Sequence, residues 1–201
     1  MKLIRRKTPK TNAVEPLPVE KPEKSRANKF VFTIGKAIDP GIKRKGRPNQ
    51  DAIGVMLPKL LNRKPPLLIV ADGMGGFQEG AKAAQIVINE IIRQYKWSRK
   101  NKNHLAKILK GIQKAHKKIR RYVKKNKEIS SMGTTVAAAV VERDKAYIVN
   151  VGDSRVYLIN ENEIRQISFD HSLVAEQVRQ GIIKPEEAHN HPRKNVLMLS
   201  I

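Results

Sequence analysis

Leu67-Leu68-Ile69-Val70 is the longest run of Leu, Ile and Val in the chain; Ala71 extends it, and it stops abruptly at Asp72-Gly73-Met74-Gly75-Gly76. A short continuous apolar run bounded by turn residues predicts a strand over 67–71 buried on both faces. Such a strand lies in the middle of a packed domain. Whatever stands at its end is therefore held rigidly while it faces solvent. Here that is a carboxylate, followed by a glycine that lets the backbone turn sharply and leaves its carbonyl accessible.

The pattern around this run alternates between β and α. Phe30-Val31-Phe32-Thr33-Ile34 predicts a first strand, 41–49 a basic loop, and 52–57 a second strand. After the glycines, Ala81, Ala84, Ile88, Ile91, Ile92 and Tyr95 recur at helical spacing and predict a helix over 78–96. A second helix over 103–127 carries Leu105, Ile108, Leu109, Ile112, Ala115, Ile119 and Val123 as its stripe. Its opposite face is mostly Lys and Arg, which reads as a solvated face or as a docking surface for an anionic partner.

The chain then turns to short strands: 135–141, 146–151, 155–159 and 163–168, joined by tight turns as antiparallel hairpins. A helix over 172–180 ends at Gly181, and Pro185-Glu186-Glu187-Ala188 starts a further turn of helix. This order predicts an α+β fold with the helices on one face of antiparallel sheet.

The 201 residues suffice for one domain, and with 4% aromatics its core must be built from aliphatic residues and Ala. Residues 1–29 mix charge with Pro9, Pro16, Pro18 and Pro22 without apolar periodicity, so they read as a basic disordered leader to a domain over 30–201. Cysteine is absent, which excludes disulfides and thiolate metal sites and fits a reducing, cytoplasmic setting. The aliphatic run is far too short to span a bilayer. A net charge of +23 surrounds the chain with a field that attracts polyanions, weakly and in a salt-sensitive way.

Three carboxylates stand out. Asp72 closes the buried strand, Asp51 opens the strand 52–57, and Asp153 interrupts another strand at Gly152-Asp153-Ser154. With the Gly73 carbonyl they form hard-oxygen chemistry suited to Mg²⁺ or Mn²⁺. Sharing one face, they are expected to hold two divalent ions about 3.5–4 Å apart, the arrangement that activates water against a phosphoryl group. No cysteine nucleophile, Gly-x-Ser-x-Gly elbow or Gly-Lys-Ser/Thr phosphate loop is present.

Five segments in order carry a family resemblance: Pro48-Asn49-Gln50-Asp51-Ala52, Val70-Ala71-Asp72-Gly73-Met74-Gly75-Gly76, Met132-Gly133-Thr134-Thr135, Val151-Gly152-Asp153-Ser154-Arg155, and Asp170-His171-Ser172 with Gly181 and Pro185-Glu186-Glu187-Ala188. Together they resemble the PP2C (PPM) family of metal-dependent Ser/Thr protein phosphatases in its bacterial form. The resemblance implies a β-sandwich of two antiparallel sheets flanked by helices. It implies two Mn²⁺ or Mg²⁺ ions, with a third in bacterial relatives, and hydrolysis of phosphoserine and phosphothreonine by a metal-activated water without a phosphoenzyme. Asp51 and Asp72 are then the catalytic carboxylates acting through that water. Asp72 bridges both metals, Gly73 adds its carbonyl, Asp51 serves the second metal, and Asp153 belongs to the looser third site. The implied partners are phosphorylated proteins and an opposing Ser/Thr kinase system, with the enzyme a monomer.

The chain departs from the pattern in three places. The phosphate-binding Arg usually lies five residues before the first motif's Asp, where Gly46 stands; Arg47 and Arg44 flank it and share the assignment. Phe77 replaces a common His. Two further metal-binding Asp lie beyond the final segment in the family, whereas this sequence ends at Ile201, so the domain is expected to be C-terminally incomplete. With those ligands absent, metal affinity falls and strand edges stay unpaired. Two other readings remain: a catalytically inactive phosphatase-like protein that binds phosphoprotein or an acidic partner, and a basic nucleic-acid-binding protein.

Overall fold

β-branched and aliphatic residues of β3 (Asp51–Met56), β4 (Leu67–Gly75), β6 (Val136–Glu142) and β7 (Lys145–Val151) pair in that order into an antiparallel sheet. The computed structural model describes residues 23–27, 30–42, 46, 48–57, 64–97 and 103–201. A fifth strand, β5 (Met132–Thr134), pairs with the far end of β4, Gly73↔Thr134 to Gly75↔Met132. β4 thus changes partner midway, from β6 along 67–70 to β5 along 73–75.

One face of this sheet is covered by α1 (Phe77–Trp97) and α2 (His104–Lys125). Leu67, Ile69 and Ala71 of β4 and Val136, Ala138 and Val140 of β6 point into that layer. They meet Ala84, Val87, Ile88 and Ile91 of α1 and Ile108, Ala115 and Ile119 of α2. The two helices cross tightly at Gly111, where an added Cβ would stand 2.6 Å from the Ile91 Cα. Tyr95 is fully buried in this layer; its hydroxyl lies 3.3 Å from the Pro65 carbonyl and 3.1 Å from His104 Nδ1. Burial, aided by Glu142, pushes its phenol well above the usual range. Asn103 caps α2 by accepting from the Ala106 N–H at 3.0 Å.

Beyond β7 the chain makes an excursion that returns to the sheet. The hairpin of β8 (Tyr157–Ile159) and β9 (Ile164–Gln166) is followed by α3 (Leu173–Arg179) and α4 (Pro185–Ala188). Ser172 caps α3, and Gly181, at φ +71, terminates it. The terminal segment then closes the excursion. The Leu173 N–H donates to the Val196 carbonyl at 2.9 Å, and the Met198 N–H donates to the His171 carbonyl at 2.8 Å. Ile201 exchanges both backbone hydrogen bonds with Thr134, at 3.0 and 3.2 Å.

The α+β expectation with helices on one face of antiparallel sheet holds. Three sequence readings are corrected. The strand expected over 67–71 runs on to Gly75, because β5 offers Gly73–Gly75 a second set of backbone partners. It is not buried on both faces: Val70 is 47% exposed, since only the 67, 69 and 71 side faces the helices. The expected leader over 1–29 is not unstructured throughout. Residues 23–27 form β1 (Glu23–Ala27), whose backbone pairs with β2 (Phe30–Ile34) in register Ala27↔Phe30; residues 1–22, 28 and 29 lie outside the described residues. No helix among the described residues is long and apolar enough to cross a membrane.

Candidate metal centre

Asp51 opens β3 and Asp72 lies on β4 in direct register with it. Opposed residues on neighbouring strands project to the same face, with Cβ atoms about 4.5–5.5 Å apart. Two carboxylates so placed repel each other unless a cation lies between them.

The backbone around this pair is pinned. The Gly73 N–H donates to the Gln50 carbonyl at 3.2 Å. The buried Gln50 side chain donates through Nε2 to the Gly76 carbonyl at 3.1 Å, tying the start of β3 to the glycine turn. At Gly73 an added Cβ would run into the Gly80 carbonyl and stand 2.8 Å from the Gln50 carbonyl oxygen. Gly73 is therefore required by close approach of α1 to the strand end.

Thr135 fixes Asp72 from the other side. Its N–H donates to the Asp72 carbonyl at 2.9 Å, and its Oγ1 accepts from the Asp72 N–H at 3.0 Å. The Thr134 hydroxyl donates to the same Asp72 carbonyl at 2.9 Å. Thr135 Oγ1 also shares a 2.6 Å hydrogen bond with Ser154 Oγ, which reaches the loop that carries Asp153. That loop turns at Gly152, whose φ of +98 suits only glycine. The Gly152 N–H donates to His171 Nδ1 at 3.1 Å, and the His171 N–H donates back to the Gly152 carbonyl at 3.0 Å.

Asp72, Gly73, Thr135 and Asp153 line one cleft of about 630 Å³, with Gln50 and Asn195 on its walls. Asp51 stands beside Asp72 on the adjoining strand but is not part of the lining. Asp72 and Asp153 thus share one cleft, with Asp51 on the adjoining strand; among the described residues no group of three Asp, Glu, His or Cys side chains gathers around a single point. Gly152 and Ser154 anchor Asp153 on the β6–β7 side of the cleft, where it also borders a second cavity of about 770 Å³ with Arg155 and Asp170. Asp51, Asp72 and the Gly73 carbonyl remain as an oxygen-only donor set, which fits a hard cation.

Arg155 is committed elsewhere. Its Nε and Nη2 donate to Asp170 Oδ2 at 2.8 and 2.6 Å. Those hydrogen bonds to Asp170, and one to Tyr157, push the guanidinium above its already high range, so it stays charged and paired. The two arginines expected to bind phosphate, Arg44 and Arg47, lie outside the described residues. Gly46 between them has φ +83, so at this position the chain uses a turn that a side chain would strain.

Gln50, Thr135, Ser154 and His171 stand within the segments that carry the resemblance, but sequence reasoning gave them no part in holding the carboxylates. The Thr134-Thr135 pair was the visible signal, because two hydroxyl residues at the start of an Ala-Val strand have no place in an apolar core unless they bond to something specific.

Comparison with known proteins agrees with this architecture. The model of the protein phosphatase 2C family matches residues 40–193. Over 149 residues the chain is 38% identical to the serine/threonine phosphatase stp of Listeria welshimeri, covering 68% of this chain and 55% of that protein. The crystal structure of the serine/threonine phosphatase Stp1 from Staphylococcus aureus is similar with a TM-score of 0.70 and 34% identity, over 81% of this chain and 63% of that one. The catalytic domain of the serine/threonine protein phosphatase PstP, solved in complex with 2 manganese ions, is similar with a TM-score of 0.65 and 30% identity, over 81% of this chain and 63% of that one. The chain spans 55% of the Listeria relative's length.

Proposed function

The chain belongs to the protein phosphatase 2C family, and from that premise we propose that its domain hydrolyses phosphoserine and phosphothreonine in proteins at a Mn²⁺ or Mg²⁺ centre built on Asp51, Asp72 and the Gly73 carbonyl. The observation that carries this reading is the register Asp51↔Asp72, which sets Asp51 directly opposite an acid that lines the cleft.

A pair of divalent ions supplies a water acidic enough to attack near neutral pH and offsets charge on the phosphoryl oxygens. The protein's own residues supply position. Thr135 holds both the N–H and the carbonyl of Asp72, so the carboxylate projects from a backbone with little freedom. Gly73 lets α1 pack closely against the strand end, and its carbonyl completes the proposed donor set. Asp153, on the opposite wall, serves a looser cation site. Arg44 or Arg47 receives the substrate phosphate, for which the guanidinium fork is well matched. The substrates are phosphoproteins, the products of a Ser/Thr kinase.

Hydrolysis of a phosphothreonine peptide by the 201-residue chain, with and without Mn²⁺, tests the reading. Phosphate release that needs Mn²⁺ and disappears in Asp72→Asn supports it. Release that is equal with and without the ion refutes it.

One observation favours a second reading. No cluster of three acid or imidazole groups converges among the described residues. A folded chain that binds the phosphopeptide without hydrolysing it would be a phosphoprotein-binding relative of the family.

A further inference from the structure

The outer face of α2 carries a charge pattern that phosphate-ester hydrolysis does not use. Its 22 residues include no Asp or Glu. Ile108, Ala115 and Ile119 are buried against the core, which turns Lys110, Lys114, Lys117, Arg121 and Lys124 outward at alternating steps of four and three residues. At a rise of 1.5 Å per residue this line is about 21 Å long. Like charges at these spacings repel one another and weaken the helix. Their concentration on one face therefore does not serve stability.

Alongside, between α1 and α2, runs a groove of about 690 Å³ lined by Glu90, Arg93, Lys114, Lys117, Lys118 and Arg121. Glu90 is buried at its floor; Arg93 Nη2 approaches Oε2 at 2.5 Å and Lys118 Nζ approaches Oε1 at 3.5 Å. One carboxylate among five cations leaves four positive charges in excess. Lys114, Lys117 and Arg121 have no acid partner among the described residues. Every lining residue is charged, so the groove offers no apolar pocket and no aromatic ring.

We propose that this groove and the line from Lys110 to Lys124 bind the phosphate backbone of nucleic acid without reading its sequence. Peptide grooves gain affinity from apolar anchors or, for acidic and phosphorylated motifs, from Arg clusters; this one has no apolar anchor, and of its two arginines Arg93 is already paired with Glu90. Membrane-surface helices insert an apolar face, and the apolar face of α2 is spent on the core. A regular row of cations alone matches a regular row of phosphates, which position a protein but specify nothing.

The test is anisotropy of a labelled random-sequence duplex DNA with the full chain, across a salt series. Five phosphate contacts give log K against log salt a slope of about −4 to −5. The triple variant Lys114→Ala/Lys117→Ala/Arg121→Ala is expected to flatten the slope by about 3, one for each contact. A control that removes the same charge elsewhere, Lys145→Ala/Arg165→Ala/Lys184→Ala, is expected to change it by less than about 1. The charge-keeping pair Lys114→Arg/Lys117→Arg keeps the wild-type slope, and far-UV circular dichroism confirms that each variant is folded. Equal slopes in the triple variant and the control overturn the proposal, as does a wild-type chain that does not bind the duplex. It is also overturned if the triple variant loses binding to polyglutamate or to phosphatidylserine vesicles while its DNA binding is unchanged.

Discussion

Asp51 and Asp72 are direct cross-strand partners, with Gln50 and Gly73 hydrogen-bonded through their backbones one residue further on. Like charges directly opposed in a sheet are unfavourable. A cation bound between the two offsets that repulsion. In metal-free buffer Asp72→Asn is expected to leave the melting temperature unchanged or to raise it. Mn²⁺ is expected to raise the melting temperature of the wild type through binding to the native state, and to leave that of Asp72→Asn in place. Differential scanning fluorimetry with and without the ion reads both.

Gly73→Ala probes the packing of the strand end. The added methyl meets the Gly80 carbonyl and the Gln50 carbonyl, both backbone groups that have no rotamer to move into. Overpacking of this kind costs about 1–3 kcal/mol or more. Urea unfolding should show that loss, and the Mn²⁺ response should fall with it because α1 is pushed away from the site.

Thr135→Val keeps the shape of a fully buried side chain and removes its hydroxyl. The Asp72 N–H and Ser154 Oγ both lose their partner. Leaving such groups unsatisfied costs about 1–3 kcal/mol. Thr135→Ser, which retains the hydroxyl, is expected to recover most of the hydrogen-bonding loss. Chemical denaturation of the two variants separates hydrogen bonding from packing.

Glu90 gives stability a pH dependence with a definite sign. Burial by itself would raise its pKa, but the hydrogen bond and charge of Arg93, joined by Lys118, outweigh it and hold the carboxyl below its ordinary 4.5. A carboxyl whose folded pKa is depressed contributes stability above its unfolded pKa, and that contribution is lost as pH falls through the folded value. Wild type is therefore expected to be more stable than Glu90→Gln at neutral pH, with the difference shrinking as pH drops below about 4.5. Urea melts of both proteins between neutral and acid pH check this.

The parts of this architecture visible in the sequence were those written in periodicity. The stripes of α1 and α2 announced two helices packed by one face, and 78–96 and 103–127 fall within two residues of the observed ends. Asp72-Gly73 at the end of an aliphatic run marked the site. Less visible was anything that depends on pairing distant segments. The extension of β4 to Gly75 needs β5, more than fifty residues away. Gly-Met-Gly reads as a turn until that partner is known. The exposure of Val70 depends on which face of the sheet the helices cover, and an unbroken aliphatic run carries no mark of that. The position of Asp153 is set by Thr135–Ser154 and Gly152–His171 contacts, each between single polar residues with no spacing rule to reveal them.

The most direct test of the account is a Mn²⁺ titration of the full chain followed by electron paramagnetic resonance, which counts free ion without requiring turnover. Wild type is predicted to take up Mn²⁺, and both Asp72→Asn and Asp51→Asn are predicted to weaken uptake by at least about tenfold. Uptake that is the same in wild type and both variants would contradict a metal centre built on the Asp51–Asp72 pair.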